Sequence, residues 1–346
     1  MFYNAHTMRR LFTALIVLLA VAFIGSQWDE LQQVFASLQR GDLLWLALAI
    51  LVQLMWLVST ALTYQAIYRL LGMSASLKEL FPLVVTSNFV NVATPSGGMG
   101  GLAVFIGDAR RHQRSTARVT IAGVLFILFD YFGFLCVLAL GLLVLFRRNH
   151  LNVAEVTAAI ILFIVALALA AIITLGIRAP QLLEHVLRWG ARTVNRLLFP
   201  LRHRPYLSED RAHEFAIEAA EGLHELRTDW REYLLPAAYS LAGKALLITI
   251  LFLTFLAFNQ PFSVGTLIAG FSMAFLFMIV SPTPAGVGFV ETVMPAALTA
   301  LGVPAGAALI IALAYRGLTF WLPFLYGFIA LRVLQRRWEQ AVELRD

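Results

Sequence analysis

Two runs rich in proline and glycine, Thr94-Pro95-Ser96-Gly97-Gly98-Met99-Gly100-Gly101 and Ser281-Pro282-Thr283-Pro284-Ala285-Gly286-Val287-Gly288, interrupt apolar sequence that a bilayer would bury. A membrane core offers no water to an opened backbone, so broken helix at that depth persists only where protein or a water-filled cavity satisfies it. Interrupted segments in corresponding positions of two halves are the sequence mark of a transporter's binding site. With 60% hydrophobic and 13% charged residues, a chain of 346 residues has too little polar surface for a water-soluble domain. The composition specifies an all-α, polytopic integral membrane protein. Its 26 basic residues sit at the ends of apolar runs rather than in an aromatic-interleaved patch, which suits membrane topology and excludes nucleic acid as a partner. The single cysteine, Cys136, leaves no disulfide within the chain. The seven histidines have no ligand spacing and no Walker motif is present, so neither a metal nor a cofactor is expected.

Apolar runs predict six full crossings, at about 11–27, 43–67, 119–146, 154–177, 233–258 and 305–331. The first follows Arg9-Arg10 and lacks a small-x-small cleavage site, so it reads as a retained helix. Two further apolar segments, about 80–106 and 264–301, each contain one break. Arg69 and Lys78 precede the first, and Arg110, Arg111, Arg114 and Arg118 follow it, so both of its flanks are predicted cytoplasmic. The loop 27–43, with Asp29, Glu30 and Asp42 against Arg40, suits the outside; Arg332, Arg336 and Arg337 place the C-terminal tail inside. Both termini are then cytoplasmic, and the second broken segment dips in from the outer face. The expectation is an inverted pseudo-repeat of two re-entrant hairpins, echoed by the short match of Thr94-Pro95-Ser96-Gly97 to Thr283-Pro284-Ala285-Gly286. Arg147-Arg148, on a predicted outer loop, is the placement that disagrees.

The chain reads as one membrane domain over 1–346, with halves 1–177 and 233–346 joined by a polar cytoplasmic stretch, 178–232. In that stretch Arg188, Arg192 and Arg196 oppose Leu183, Val186, Leu187, Val194 and Leu197, the pattern of a basic amphipathic helix. Asp210, Glu214, Glu218, Glu221 and Glu225 line one face of a second helix. Pairing of these two helices by charge explains the pattern as well as contact with headgroups does.

The runs Thr94 to Asp130 and Ser281 through Tyr315-Arg316 to Pro323 resemble the two signature regions of the membrane domain of lysylphosphatidylglycerol synthetase/flippase proteins. The second run, Thr283-Pro284-Ala285-Gly286-Val287-Gly288-Phe289-Val290-Glu291 followed by Tyr315-Arg316, carries most of the likeness, and the order of segments extends it over nearly the whole chain. The resemblance implies translocation of a lipid between leaflets of a bacterial inner membrane. The bifunctional members carry an aminoacyl-transferase domain after the membrane part. The sequence ends at Asp346, so no synthesis of aminoacyl lipid is expected and the lipid itself is not inherited from those members.

Charge inside apolar sequence costs about 2.5 to 3.5 kcal/mol per residue, which makes Asp130, Lys244, Glu291 and Arg316 candidates for function. Arg316 and Lys244 suit a phosphate headgroup, as a planar fork and a compact charge. Ser87, Asn91 and Thr94 at helical spacing offer a polar lining, and Gly97, Gly98, Thr283, Gly286 and Gly288 supply the opened backbone. Helices beginning after Gly101 and Gly288 would add anion-favouring N–H groups. The plainer reading pairs the acids with the cations as internal neutralisation. Two further functions remain open at this stage. Asp29-Glu30 as base or metal ligand would suit a membrane-embedded transferase with a lipid-linked donor, and an accessory protein would bind lipid for a lipid-synthesising enzyme as partner.

Overall fold

The computed structural model describes Leu18 and residues 21–93, 99–148, 153–178, 231–281 and 283–343. These residues form helices α1 (Trp28–Leu38), α2 (Leu43–Leu70), α3 (Leu77–Ala93), α4 (Met99–Arg111), α5 (Thr116–Arg147), α6 (Val153–Arg178), α7 (Arg231–Ala257), α8 (Val264–Val280), α9 (Val290–Ala300), α10 (Ala305–Arg316) and α11 (Leu322–Glu343). A π-turn, Gly317–Trp321, joins α10 to α11. The chain is a polytopic, all-helical membrane protein. Side chains set the helix starts: Asp42 accepts from the Leu44 N–H, Ser115 from Arg118 and Ser263 from Thr266.

Four spans are long and apolar enough to cross a membrane: Leu43–Leu70, Thr116–Arg147, Arg231–Ala257 and Ala305–Leu334. They match four of the six expected crossings. The fifth forms α6, whose apolar part, Glu155–Ala171, is shorter. Most of the first, and nearly all of the stretch 178–232 with its two amphipathic patterns, lie outside the described residues. The segment after the first crossing, read from sequence as a loop, is the helix α1.

Both interrupted segments fold back on themselves. In the first, Arg114 Nη2, just past α4, reaches Glu79 Oε2 in the first turn of α3 at 2.8 Å, so both ends of the hairpin lie together. In the second, Arg148 donates to Ser263 Oγ at 3.0 Å and to the Leu301 carbonyl at 3.2 Å, tying the start of α8 to the end of α9. The arginine that misfits the charge rule therefore clasps the mouth of a hairpin. Arg114 and Arg148 flank α5 at opposite ends, and a helix of this length spans about 48 Å, more than the hydrocarbon core. The two hairpins open on opposite faces.

The halves also pack as counterparts. Helices α2 and α7 run antiparallel at the centre: the Asp42 N–H donates to Ala257 O, and Ser59 Oγ to Tyr239 O, each at 2.9 Å. Hairpin helix α3 lies along α11 as α8 lies along α5. Phe89 meets Phe324 at 4.9 Å in one contact and Phe134 meets Phe275 at 4.6 Å in the other, with both ring pairs inclined at 47°. Glycine permits each approach, since a Cβ at Gly327 would strike Phe89 and one at Gly141 would strike Ser272. Among the described residues the apolar core divides into two large clusters, one around Phe89 and Phe105 and the other around Phe134 and Phe271, and a small third around Val34, Phe320 and Trp321.

Candidate functional site

Where the halves meet there is a cavity of about 570 Å³. It draws Asn88 and Asn91 from α3, Asp130 from α5, Lys244 from α7, Thr283 from the second break and Arg316 from the end of α10. Sequence placed these side chains up to 228 positions apart, from Asn88 to Arg316; antiparallel packing of the halves brings them to one chamber.

Lys244 is at the middle of α7 and 2% exposed. Its ammonium bonds Asp130 Oδ1 at 2.6 Å and lies 4.1 Å from the centre of the Phe275 ring. A buried ion pair survives only if its geometry offsets the desolvation of both ions. Ser240, one turn before Lys244, donates to the Phe129 carbonyl at 2.7 Å and so holds α7 against α5 beside the pair.

Arg316, 3% exposed, is the centre of the second group. Its Nε donates to Glu291 Oε1 at 2.5 Å, its Nη1 to the Ala285 carbonyl at 3.3 Å, and its guanidinium stacks 4.1 Å from the centre of the Phe320 ring. Its Nη2 is buried without a hydrogen-bond partner. The π-turn follows directly, and the wider turn carries Phe320 and Trp321 to the same side; such turns recur at functional sites. Glu291, in the first turn of α9, accepts the Gly288 N–H at 2.7 Å with its other oxygen, so one carboxylate caps a helix and holds the arginine.

Sequence reasoning missed Glu30 as a member of this group: it reads Glu30 with Asp29 as an outer-loop acid that would serve the alternative transferase. Trp321 Nε1 donates to Glu30 Oε1 at 3.1 Å, and the carboxyl faces both Glu291 and Arg316. Glu30 belongs to none of the four described spans of membrane length. Burial first, then the Glu291 charge, hold its carboxyl above the usual range, against the pull of the indole and the guanidinium. The available signal was the spacing of Glu30, Val34 and Ser37, which puts the acid on the inward face of an amphipathic helix.

Two other expectations need correction. Ser87 does not line the cavity: it is buried and its hydroxyl donates to the Val84 carbonyl, while the next residue, Asn88, faces the chamber with a partnerless Nδ2. The Gly101 and Gly288 N–H groups are not open to an anion. Asn91 Oδ1 takes the first at 2.6 Å, across the break, and Glu291 takes the second. Gly286 serves shape, with a φ of +71° and no room for a Cβ, which would come 2.8 Å from the Met278 Cα. Thr283 lines the cavity while its hydroxyl donates to the Val287 carbonyl and its N–H to Ser281 Oγ, which staples the break. Thr94, Gly97 and Gly98 lie outside the described residues.

Two antiparallel halves, hairpins opened to opposite faces and a charged chamber between them define an integral membrane protein with a small group of ionisable side chains gathered inside the bundle. The chain belongs to the lysylphosphatidylglycerol synthase TM region family, whose profile matches residues 10–327. It is similar to a UPF0104 membrane protein of Methanocaldococcus jannaschii, with 25% identity over 328 residues and 93% of each chain covered. A UPF0104 membrane protein of Methanothermobacter thermautotrophicus is 23% identical over 306 residues, covering 85% of this chain and 87% of its own.

Proposed function

We propose that the protein moves a lipid with an anionic phosphate headgroup between the leaflets of the membrane, as a transporter rather than an enzyme, with both termini in the cytoplasm of a bacterial cell. The observation that carries this reading is the pair of buried donors without partners, Arg316 Nη2 and Asn88 Nδ2, on side chains of one cavity. A buried donor left unsatisfied costs about 1–3 kcal/mol, a cost that a headgroup oxygen would remove. Arg316 supplies the fork that matches a phosphate, and the aromatic wall of Phe275, Phe320 and Phe324 accepts the proximal acyl or prenyl chain. Hairpins open to either face give each leaflet a route to the same chamber.

The test is reconstitution into liposomes with labelled phospholipids and polyprenyl-phosphate lipids, scored for leaflet exchange. The expected result is exchange of at least one phosphate lipid well above protein-free vesicles, and about tenfold slower exchange for Arg316→Lys, which keeps the charge and loses the fork. Exchange no faster than in empty vesicles across the panel refutes the proposal.

A further inference from the structure

The charges around the cavity do not balance for an anionic cargo. Among the described residues, Asp130, Glu291 and Glu30 bring three carboxylates to two cations, Lys244 and Arg316. With all five ionised the group carries one net negative charge before any headgroup arrives. A phosphate would add at least one more in a site walled by apolar side chains, where like charges repel through a low dielectric. Lys244 is committed to Asp130. Arg316 is held by Glu291 through Nε and faced by Glu30, yet leaves Nη2 free.

We propose that Glu30 and Glu291 form a proton site coupled to the headgroup site: a proton bound by this pair releases Arg316 to the phosphate, so that lipid and proton occupy the protein together. This rests on the reading of the cavity as a phosphate-headgroup site and adds the coupling ion. The proton passes from water to a carboxylate oxygen of the pair, and no bond of the lipid changes. The surroundings of Glu30 favour this assignment over Asp130, whose carboxylate has a dedicated ammonium partner at 2.6 Å. Around Glu30, α9 presents Glu291, α10 presents Arg316 and the π-turn presents the neutral Trp321 indole, which shares an apolar cluster with Val34, Val287 and Leu313. Its chain neighbour Asp29 is exposed. Two acids facing one guanidinium form a site that accepts one proton while keeping a counter-charge, and carboxylates so placed inside membrane bundles serve as proton relays.

The experiment is calorimetric titration of the purified full-length protein in detergent with dioctanoyl phosphatidylglycerol and with methyl farnesyl phosphate. Both are phosphodiesters of fixed single charge near neutrality, so any proton counted belongs to the protein. Repeating each titration in buffers of different ionisation enthalpy gives the protons taken up. The expected result is uptake of about one proton per bound lipid and an affinity that tightens by about tenfold for each unit of falling pH while the pair is ionised. Glu30→Gln, which keeps an acceptor for the Trp321 indole, should bind with little uptake and a flat pH profile. Equal uptake and slope in wild type and Glu30→Gln overturns the coupling and leaves the headgroup reading intact. Failure of both lipids to bind at any pH overturns the headgroup reading and the coupling with it. Infrared spectra of the lipid-free protein provide a separate readout: a carboxylic-acid band that titrates in wild type and is lost in Glu30→Gln is expected, and its absence from wild type rules out the proton site.

Discussion

Four charges were legible as single residues, because Asp130, Lys244, Glu291 and Arg316 stand out against apolar sequence. That these acids and cations neutralise one another was legible too, as the plainer reading; the match of Asp130 to Lys244 across 114 positions and of Glu291 to Arg316 comes from the packing. The same dependence on packing hid Glu30, which looks solvated until α1 folds onto α10, and it favoured Ser87 over Asn88, a choice that turns on the rotation of one helix by a single residue. The pairs themselves can be separated into structure and function. Arg316→Gln leaves Glu291 buried beside Glu30 with no cation, and breaking a buried pair from one side costs about 3–5 kcal/mol. Thermal unfolding in detergent should register that loss. The double change Arg316→Gln with Glu291→Gln should recover most of the stability, because an amide pair hydrogen-bonds without net charge. Leaflet exchange should stay lost in the double variant, since no guanidinium remains for the phosphate. Recovery of exchange together with stability ends the headgroup role of Arg316.

Elements were easier to read than contacts. Proline, glycine and capping residues punctuate the chain, so α2, α5 and α8 begin at Asp42, Ser115 and Ser263, side chains that a sequence displays directly. The π-turn after Arg316 had no such marker: Gly317 alone does not distinguish a wide turn from a straight helix. Hairpin mouths fall between these cases. Flanking arginines set the direction of the first, whereas Arg148 seemed misplaced until its bonds to Ser263 and Leu301 gave it a local purpose. The first clasp lends itself to a pH test. The Arg114 guanidinium beside Glu79 holds its carboxyl below the usual range, helped by the Ser76 hydroxyl. A carboxyl depressed in the folded state stabilises fully above its unfolded value of about 4.3 and loses that contribution as pH falls through the folded value. Wild type should therefore exceed Glu79→Gln in thermal midpoint at pH 7, with the gap closing as pH drops below about 4.3. Glu79 is half exposed, so the gap should be small and should shrink in high salt. A gap that widens towards low pH contradicts the clasp.

At the scale of the molecule, the repeat was legible in two broken segments whose flanking charges set them on opposite faces, and in residue identity only as a four-residue echo, Thr94-Pro95-Ser96-Gly97 and Thr283-Pro284-Ala285-Gly286, because helix packing constrains size and direction more than identity. The structure expresses it through antiparallel α2 and α7, matched phenylalanine contacts and hairpins opened at opposite ends of α5. Opposed openings are what alternating access requires, since one site must be reachable from either leaflet without a continuous hole. They also fix a labelling pattern. His112 stands at the mouth of the first hairpin and Ala305 just beyond the second, both exposed, with α5 between the two mouths. Arginines crowd the first mouth, so the positive-inside rule assigns it to the cytoplasm. In a Cys136→Ala background, His112→Cys in intact cells should resist a membrane-impermeant maleimide until the cells are opened, and Ala305→Cys should react at once. Reaction of both from outside would turn the first hairpin into an ordinary crossing, place both mouths on one face and remove the two-sided access on which the transport proposal depends.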